Sequence, residues 1–244
     1  MITLTSFNDT EDYQINENIT KVSIASQWPI FITYSIASLL YSAIIINMVN
    51  ISTEIIWIEE PFQDHSFEIS LILGARNLMW ALSGLIFGAL ADRVSRKYLF
   101  IIATFLVGAS CLLFSRFPRG LGEDLFFYFL ATNALSGLGL GAYRPIVNSY
   151  SNDKLQSSQQ SQFHGIYSGI NLILMPIGMI LAAFAFRMDR WRTFFGSSGI
   201  AILTSILLLY FFLKEPKRGH RSSKRLERVL RETNNTYYYQ MNKY

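Results

Sequence analysis

Apolar residues are gathered into six long runs, divided by short polar or charged breaks, at 28–51, 69–91, 98–115, 125–150, 163–186 and 193–213. A run of about 20 residues with few charges is long enough to cross roughly 30 Å of hydrocarbon as a helix rising about 1.5 Å per residue. The pattern therefore predicts an all-α, polytopic membrane protein with six transmembrane helices. A polar, mostly acidic leader, 1–27, precedes the first run, and no small-residue cleavage site follows that run. The first run is therefore expected to remain as a helix rather than leave as a signal peptide. Beyond 213 the chain turns basic: Arg218, Arg221, Lys224, Arg225, Arg228 and Arg231 alternate with Leu226, Val229 and Leu230 at helical spacing. This tail, 214–244, is expected to form in part an amphipathic helix on the cytoplasmic face.

Composition supports a membrane class. The chain is 51% hydrophobic and 15% aromatic with only 16% charged residues, and its mean hydropathy of +0.27 is high for a domain whose whole surface must be wetted. The charges orient it. The first break after the opening run, 52–67, holds Glu54, Glu59, Glu60 and Asp64 but no Lys or Arg, whereas the next holds Arg93, Arg96 and Lys97. Bases accumulate on the cytoplasmic side, so both termini are expected inside. The net charge of +4 comes mostly from the tail and reads as topology and lipid head-group attraction, with no nucleic-acid partner implied. Cys111, the single cysteine, lies within the third run, which excludes an intramolecular disulfide.

The most specific break is Gly88-Ala-Leu90-Ala-Asp92-Arg93-Val-Ser-Arg96-Lys97, a hairpin whose apolar arms meet in one acid and three bases. The small residues Gly88 and Ala91 allow close helix approach. Asp92 and Arg96, spaced i,i+4, are expected to pair across one turn and to re-pair with a neighbouring helix end when the bundle rocks. This segment resembles the signature loop between helices 2 and 3 of the major facilitator superfamily of transporters. Further elements are similar to that superfamily: Asn133-Ala-Leu-Ser-Gly137-Leu-Gly139-Leu-Gly141-Ala-Tyr143, with Asn133 where an arginine is usual; Asn171 to Pro176 with Gly178; and Glu215-Pro216-Lys217-Arg218-Gly219. Among its subfamilies the chain looks most like the spinster-like transporters, through Asp92 to Leu99, Phe117-Pro118 with Gly122-Glu123, and Gly137-x-Gly139-x-x-x-Tyr143.

The resemblance implies half of a major facilitator fold, a 3+3 inverted repeat, with a central cavity lined by helices 1, 2, 4 and 5. It also implies transport of a small or amphiphilic organic solute by alternating access, with lysolipids or sphingolipid-like molecules as the subfamily's substrates. The proton-binding acid that the subfamily places just after the Gly-x-Gly is Leu140 here, and the first run contains no Asp, Glu, Lys or Arg. The polar residues available to the cavity are Tyr41, Asn47, Arg76, Asn133, Tyr143, Arg144, Tyr167 and Asn171. An arginine at mid-bilayer costs about 2.5 kcal/mol or more, so Arg76 and Arg144 should face a watered cavity, a partner or, by snorkelling, the head groups. Two cavity-facing arginines would favour an anionic head group. Gly137, Gly139 and Gly141 suit close helix packing, and Pro145 and Pro176 suit bends.

No cofactor, metal site or catalytic centre is expected. His65, His164 and His220 are isolated, and neither a Cys/His ligand spacing nor a Gly-x-Ser-x-Gly elbow occurs. A facilitator ordinarily pairs two six-helix halves, whereas the 244 residues hold one. Three readings follow: a portion of a twelve-helix transporter, a half that rebuilds its second wall as a homodimer, or a non-transporting membrane interaction or regulatory subunit. The membrane, plasma or endolysosomal, is left open by the residues.

Overall fold

The computed structural model describes residues 24–51, 56–57, 62–117, 123–155 and 157–215. The basic tail and nearly all of the acidic leader lie outside the described residues. Six long helices make up the described chain: α1 (Trp28–Ile51), α2 (Ser66–Ala91), α3 (Arg96–Ser115), α4 (Glu123–Lys154), α5 (Ser157–Arg187) and α6 (Trp191–Phe212), with no strand among the described residues. A spanning helix satisfies every backbone group within its own segment, as lipid demands. All six are long and apolar enough to cross a membrane.

Several helices outrun their apolar runs. α4 continues to Lys154 and α5 begins at Ser157, because polar residues such as Asn152 and Gln160 extend the helices beyond the hydrophobic band. The breaks are built from local hydrogen bonds. In the α2–α3 turn the amides of Arg93 and Val94 donate to the Leu90 carbonyl at 3.0 and 2.7 Å. In the α5–α6 turn Asp189 takes a left-handed φ of 52°, and the Arg190 amide donates back to Ala185 at 2.8 Å. Asp is among the few residues that adopt that conformation readily.

The helices form an open arc. α2 packs on α4, α4 on α3, α3 on α6, α6 on α1 and α1 on α5, while α2 and α5 do not pack on each other. Exchanging α1 with α4, α2 with α5 and α3 with α6 maps this set of contacts onto itself. Each repeat holds three helices, an odd number, so the second runs through the bundle inverted: this is the 3+3 arrangement. The arc leaves its two ends uncovered. Only 11% of the apolar window of α5 and 22% of that of α2 is buried, against 50% for α4. Leu78, Trp80 and Leu85 on α2 and Leu172, Ile173 and Ile180 on α5 stand exposed.

Glycines set the closest approaches. A Cβ at Gly137 or Gly141 would strike the Arg76 or Trp80 carbonyl oxygen of α2, and one at Gly178 would strike the Leu39 carbonyl of α1. Gly139 faces α3, where a Cβ would lie 2.7 Å from Val107 Cγ2. Gly88 is different: a Cβ there would meet only the Pro145 Cβ at 3.7 Å, an ordinary contact. Its lack of bulk is not what lets α2 and α4 meet in this conformation. Pro145 and Pro176 both lie inside their helices without ending them.

Candidate functional site

The bundle end that carries the α2–α3 turn is knit together by polar side chains. Arg96, buried although charged, places its guanidinium 2.6 Å from Asp153 at the far end of α4 and donates through Nε to Ser149 Oγ at 2.8 Å. The expected Asp92–Arg96 pair does not form. Residues 92–95 are a turn rather than helix, so the i,i+4 stacking that pairing needs is interrupted. Asp92 and Arg93 are exposed, Leu90 is half-buried, and the Lys97 ammonium lies 5.0 Å from the Tyr210 ring centroid of α6.

Glu215, just after α6, caps α3. Its carboxylate accepts the Arg96 and Lys97 amides, each at 2.9 Å, and the Ser95 hydroxyl at 2.8 Å. A carboxylate on the first-turn N–H groups satisfies donors that the helix leaves unpaired and meets the positive end of its dipole. A second knot lies beside it. The buried Tyr150 hydroxyl donates to Gln27 Oε1 at 2.7 Å and lies 3.2 Å from the Lys214 carbonyl, while the Lys154 ammonium donates to the Tyr150 oxygen. The starts of α1 and α3 and the ends of α4 and α6 are thereby joined at this end.

Within the spans the sequence-predicted polar residues divide into two groups. Nearer the centre, Arg76 of α2 is almost wholly buried; its guanidinium lies 4.5 Å from the Tyr41 ring centroid of α1 and donates to the Tyr41 carbonyl at 3.3 Å. Trp80 packs edge-on against the same tyrosine at 5.4 Å. Asn133 is completely buried on α4, its Nδ2 donating to the Phe129 carbonyl at 2.9 Å.

The second group lies nearer the α2–α3 turn, with Tyr143 and Tyr167 buried and Tyr34 half-buried. Tyr34 of α1 and Tyr167 of α5 stack with ring centroids 3.7 Å apart, and the Tyr143 ring lies 6.2 Å from Tyr34. Tyr143 is buried and shares a hydrogen bond of 2.9 Å with Thr104 of α3. Arg144, next along α4, is exposed. Asn171 is half-buried one turn beyond Tyr167, and the Asn47 side chain lies outside the described residues.

Sequence reasoning named Tyr41, Arg76, Tyr143, Arg144 and Tyr167 as cavity candidates without pairing any of them, and missed Tyr34, Thr104, Ser149 and Asp153. Tyr34 carried a usable signal, standing seven residues before Tyr41 and so on the same helical face. Asp153 carried none, because its pairing depends on where α3 and α4 end. Cys111 is buried. Among the described residues no group of His, Cys, Asp and Glu is arranged to hold a metal ion. His164 shares a hydrogen bond of 3.1 Å with Ser151, and His65 stacks on Trp57.

The open 3+3 arc, its charged turn and its glycine-spaced seams define a facilitator-type membrane half. The sequence profile of the Major Facilitator Superfamily matches residues 30–237, and the chain belongs to this superfamily. It is similar to the 4-hydroxybenzoate transporter PcaK of Pseudomonas aeruginosa, 32% identical over 163 residues that cover 62% of this chain and 34% of that protein. It is also similar to the uncharacterized MFS-type transporter YybF of Bacillus subtilis, 23% identical over 158 residues that cover 65% of this chain and 37% of that protein. The chain spans about a third of the length of these curated relatives. It is an integral, multi-pass membrane protein.

Proposed function

We propose that this chain is one six-helix half of a facilitator that moves an amphiphilic organic anion across a membrane by alternating access. One observation carries the reading. The spans hold two guanidiniums, Arg76 and Arg144, and no acid away from the helix ends: Glu68 lies in the first turn of α2, Glu123 and Asp124 open α4, and Asp153 lies in its last turn. Interior cations without interior acids call for an anion from elsewhere. Arg144 is the accessible one, next to Tyr143 in the chain, whose ring neighbours the half-buried Tyr34 that could receive an apolar or aromatic body.

Two kinds of molecule fit that chemistry. One is an aromatic acid such as the 4-hydroxybenzoate named for the relative; the other is a lysolipid, as the spinster-like resemblance implies, with its phosphate on the guanidinium. In this reading the α2–α3 turn and both termini lie in the cytoplasm. Membrane lipids surround α3 and α6, and the exposed faces of α2 and α5 receive a second six-helix half or a second copy of the chain.

The test is uptake into liposomes holding the purified chain, alone and with a separately supplied second half. Labelled 4-hydroxybenzoate and a labelled lysophospholipid are offered in parallel. Uptake of either anion, with an uncharged analogue excluded, supports the proposal and names the class. A folded, inserted chain that moves neither in any assembly overturns it in favour of a non-transporting membrane subunit.

A further inference from the structure

Two buried polar groups on neighbouring helices are each left short of a partner. Among the described residues the Asn133 carboxamide oxygen accepts no hydrogen bond, although the residue is completely buried. Arg76, also buried, has among the described residues one hydrogen bond, the 3.3 Å contact to the Tyr41 carbonyl, which is longer than a well-formed N–H···O bond. A buried acceptor left unmade and a buried cation barely satisfied are both costly, and most such groups in proteins find partners.

The register of α2 on α4 brings the two together. Gly137 lies against Arg76 and Gly141 against Trp80, so the helices run side by side in the same direction. Asn133, one turn before Gly137 on the same face, is then level with Ile72. Side chains on a helix lean toward its N-terminus, which carries the Arg76 guanidinium up to the level of Asn133. Its stem passes Gly137 closely, since a Cβ there would lie 3.2 Å from Arg76 Cγ.

The Tyr41 contact, by contrast, crosses to a helix that α2 does not otherwise pack along: α1 lies on α5 and α6, while α2 is held by α4. We propose that the Asn133 oxygen is a second berth for the Arg76 guanidinium, which passes from Tyr41 on α1 to Asn133 on α4 when α1 draws away. Asn133 is thus a positioning residue for a mobile interior charge, and Gly137 keeps the path between the berths free of side chain. The inference stands whether or not the chain transports.

Melting of the full chain in detergent tests it through substitutions in paired backgrounds. Asn133→Asp should be tolerated beside Arg76, with which the new carboxylate pairs. The same change in an Arg76→Met background buries an unpaired acid, and its melting temperature should fall further, by about 3 °C or more. Equal losses in the two backgrounds would overturn the proximity. The shuttle has its own arm. With the ring removed by Tyr41→Leu, the guanidinium keeps on α1 only the long bond to the backbone carbonyl at position 41 and depends more on Asn133, so Asn133→Leu should cost more there than in the native chain. Equal cost with and without the Tyr41 ring overturns the second berth. Asn133→Ser, which keeps an acceptor oxygen, should lie closer to the native chain than Asn133→Leu in both arms; if it behaves as Leu, the berth is again refuted.

Discussion

Arg96 is bound to Asp153, 2.6 Å away on α4, and not to Asp92, the acid four residues before it on the same loop. The pair joins α3, in the first repeat, to α4, in the second. Arg96 is 6% exposed and Asp153 19%, so the charges are shielded from water well enough for the loss of one to leave the other poorly compensated. Asp153→Asn is therefore expected to destabilise the chain by about 1–3 kcal/mol. Asp92→Asn, at an exposed position, should cost less than about 0.5 kcal/mol. Melting temperatures in detergent give the comparison, and a loss at Asp92 as large as that at Asp153 would show that Asp153 is not the preferred partner of Arg96.

Glu215 should matter more than its place in an extended segment suggests. Its carboxylate takes two amides and one hydroxyl at the start of α3, and Ser95, the residue at the N-cap, makes no cap of its own. Glu215→Ala is expected to cost about 1–2 kcal/mol, in the range for loss of a helix cap. Ser95→Ala removes one of three bonds and should cost no more than about half of that. If Ser95→Ala proves the worse of the two, the cap is assigned to the wrong side chain.

These contacts mark the boundary of what the residues alone disclose. The six spans were legible because lipid removes water from the backbone and requires long apolar helices, a demand written in every run from α1 to α6. The helix ends were less so. α5 starts at Ser157, six residues before its apolar run, because hydropathy reports contact with hydrocarbon and not helical backbone. Pairings between distant segments were not legible at all. Arg96 and Glu215 are 119 positions apart, and they meet only because α3 and α6 pack along their lengths. The spacing of Asp92 and Arg96 suggested a local pair that the turn between them prevents. Arg76 and Tyr41 were both marked as interior polar residues, but that one covers the other follows only from the packing.

The glycine seams separate substitutions by what lies opposite. Gly137→Ala and Gly141→Ala drive a methyl group into the backbone carbonyls of Arg76 and Trp80, which cannot yield as a side-chain tip can. Each is expected to destabilise by about 1–3 kcal/mol, the range for overpacking. Gly165→Ala and Gly169→Ala meet nothing within 4 Å and should be neutral or slightly stabilising, since alanine favours helix by about 1 kcal/mol over glycine. Gly88→Ala belongs with the tolerated set in this conformation. A melting series over the five variants checks the division, and a tolerated Gly141→Ala would show that α2 and α4 approach less closely than described.

Arg144 offers the cleanest separation of function from stability, because it is exposed. Arg144→Gln should leave the melting temperature within about 1 °C, as surface substitutions do. In an assembly that takes up an organic anion, the same change should lower uptake by about tenfold or more, since one charge-assisted hydrogen bond contributes about 1.5–3 kcal/mol. Arg144→Lys keeps the charge but not the planar fork and should fall between the two. If the loss appears as a raised KM with the maximal rate kept, Arg144 holds the anion equally before and during passage. A lowered maximal rate would instead mean that the contact is made as the half changes conformation. Unchanged uptake by Arg144→Gln would remove Arg144 from the substrate's path and leave Arg76 as the interior charge that the anion must meet.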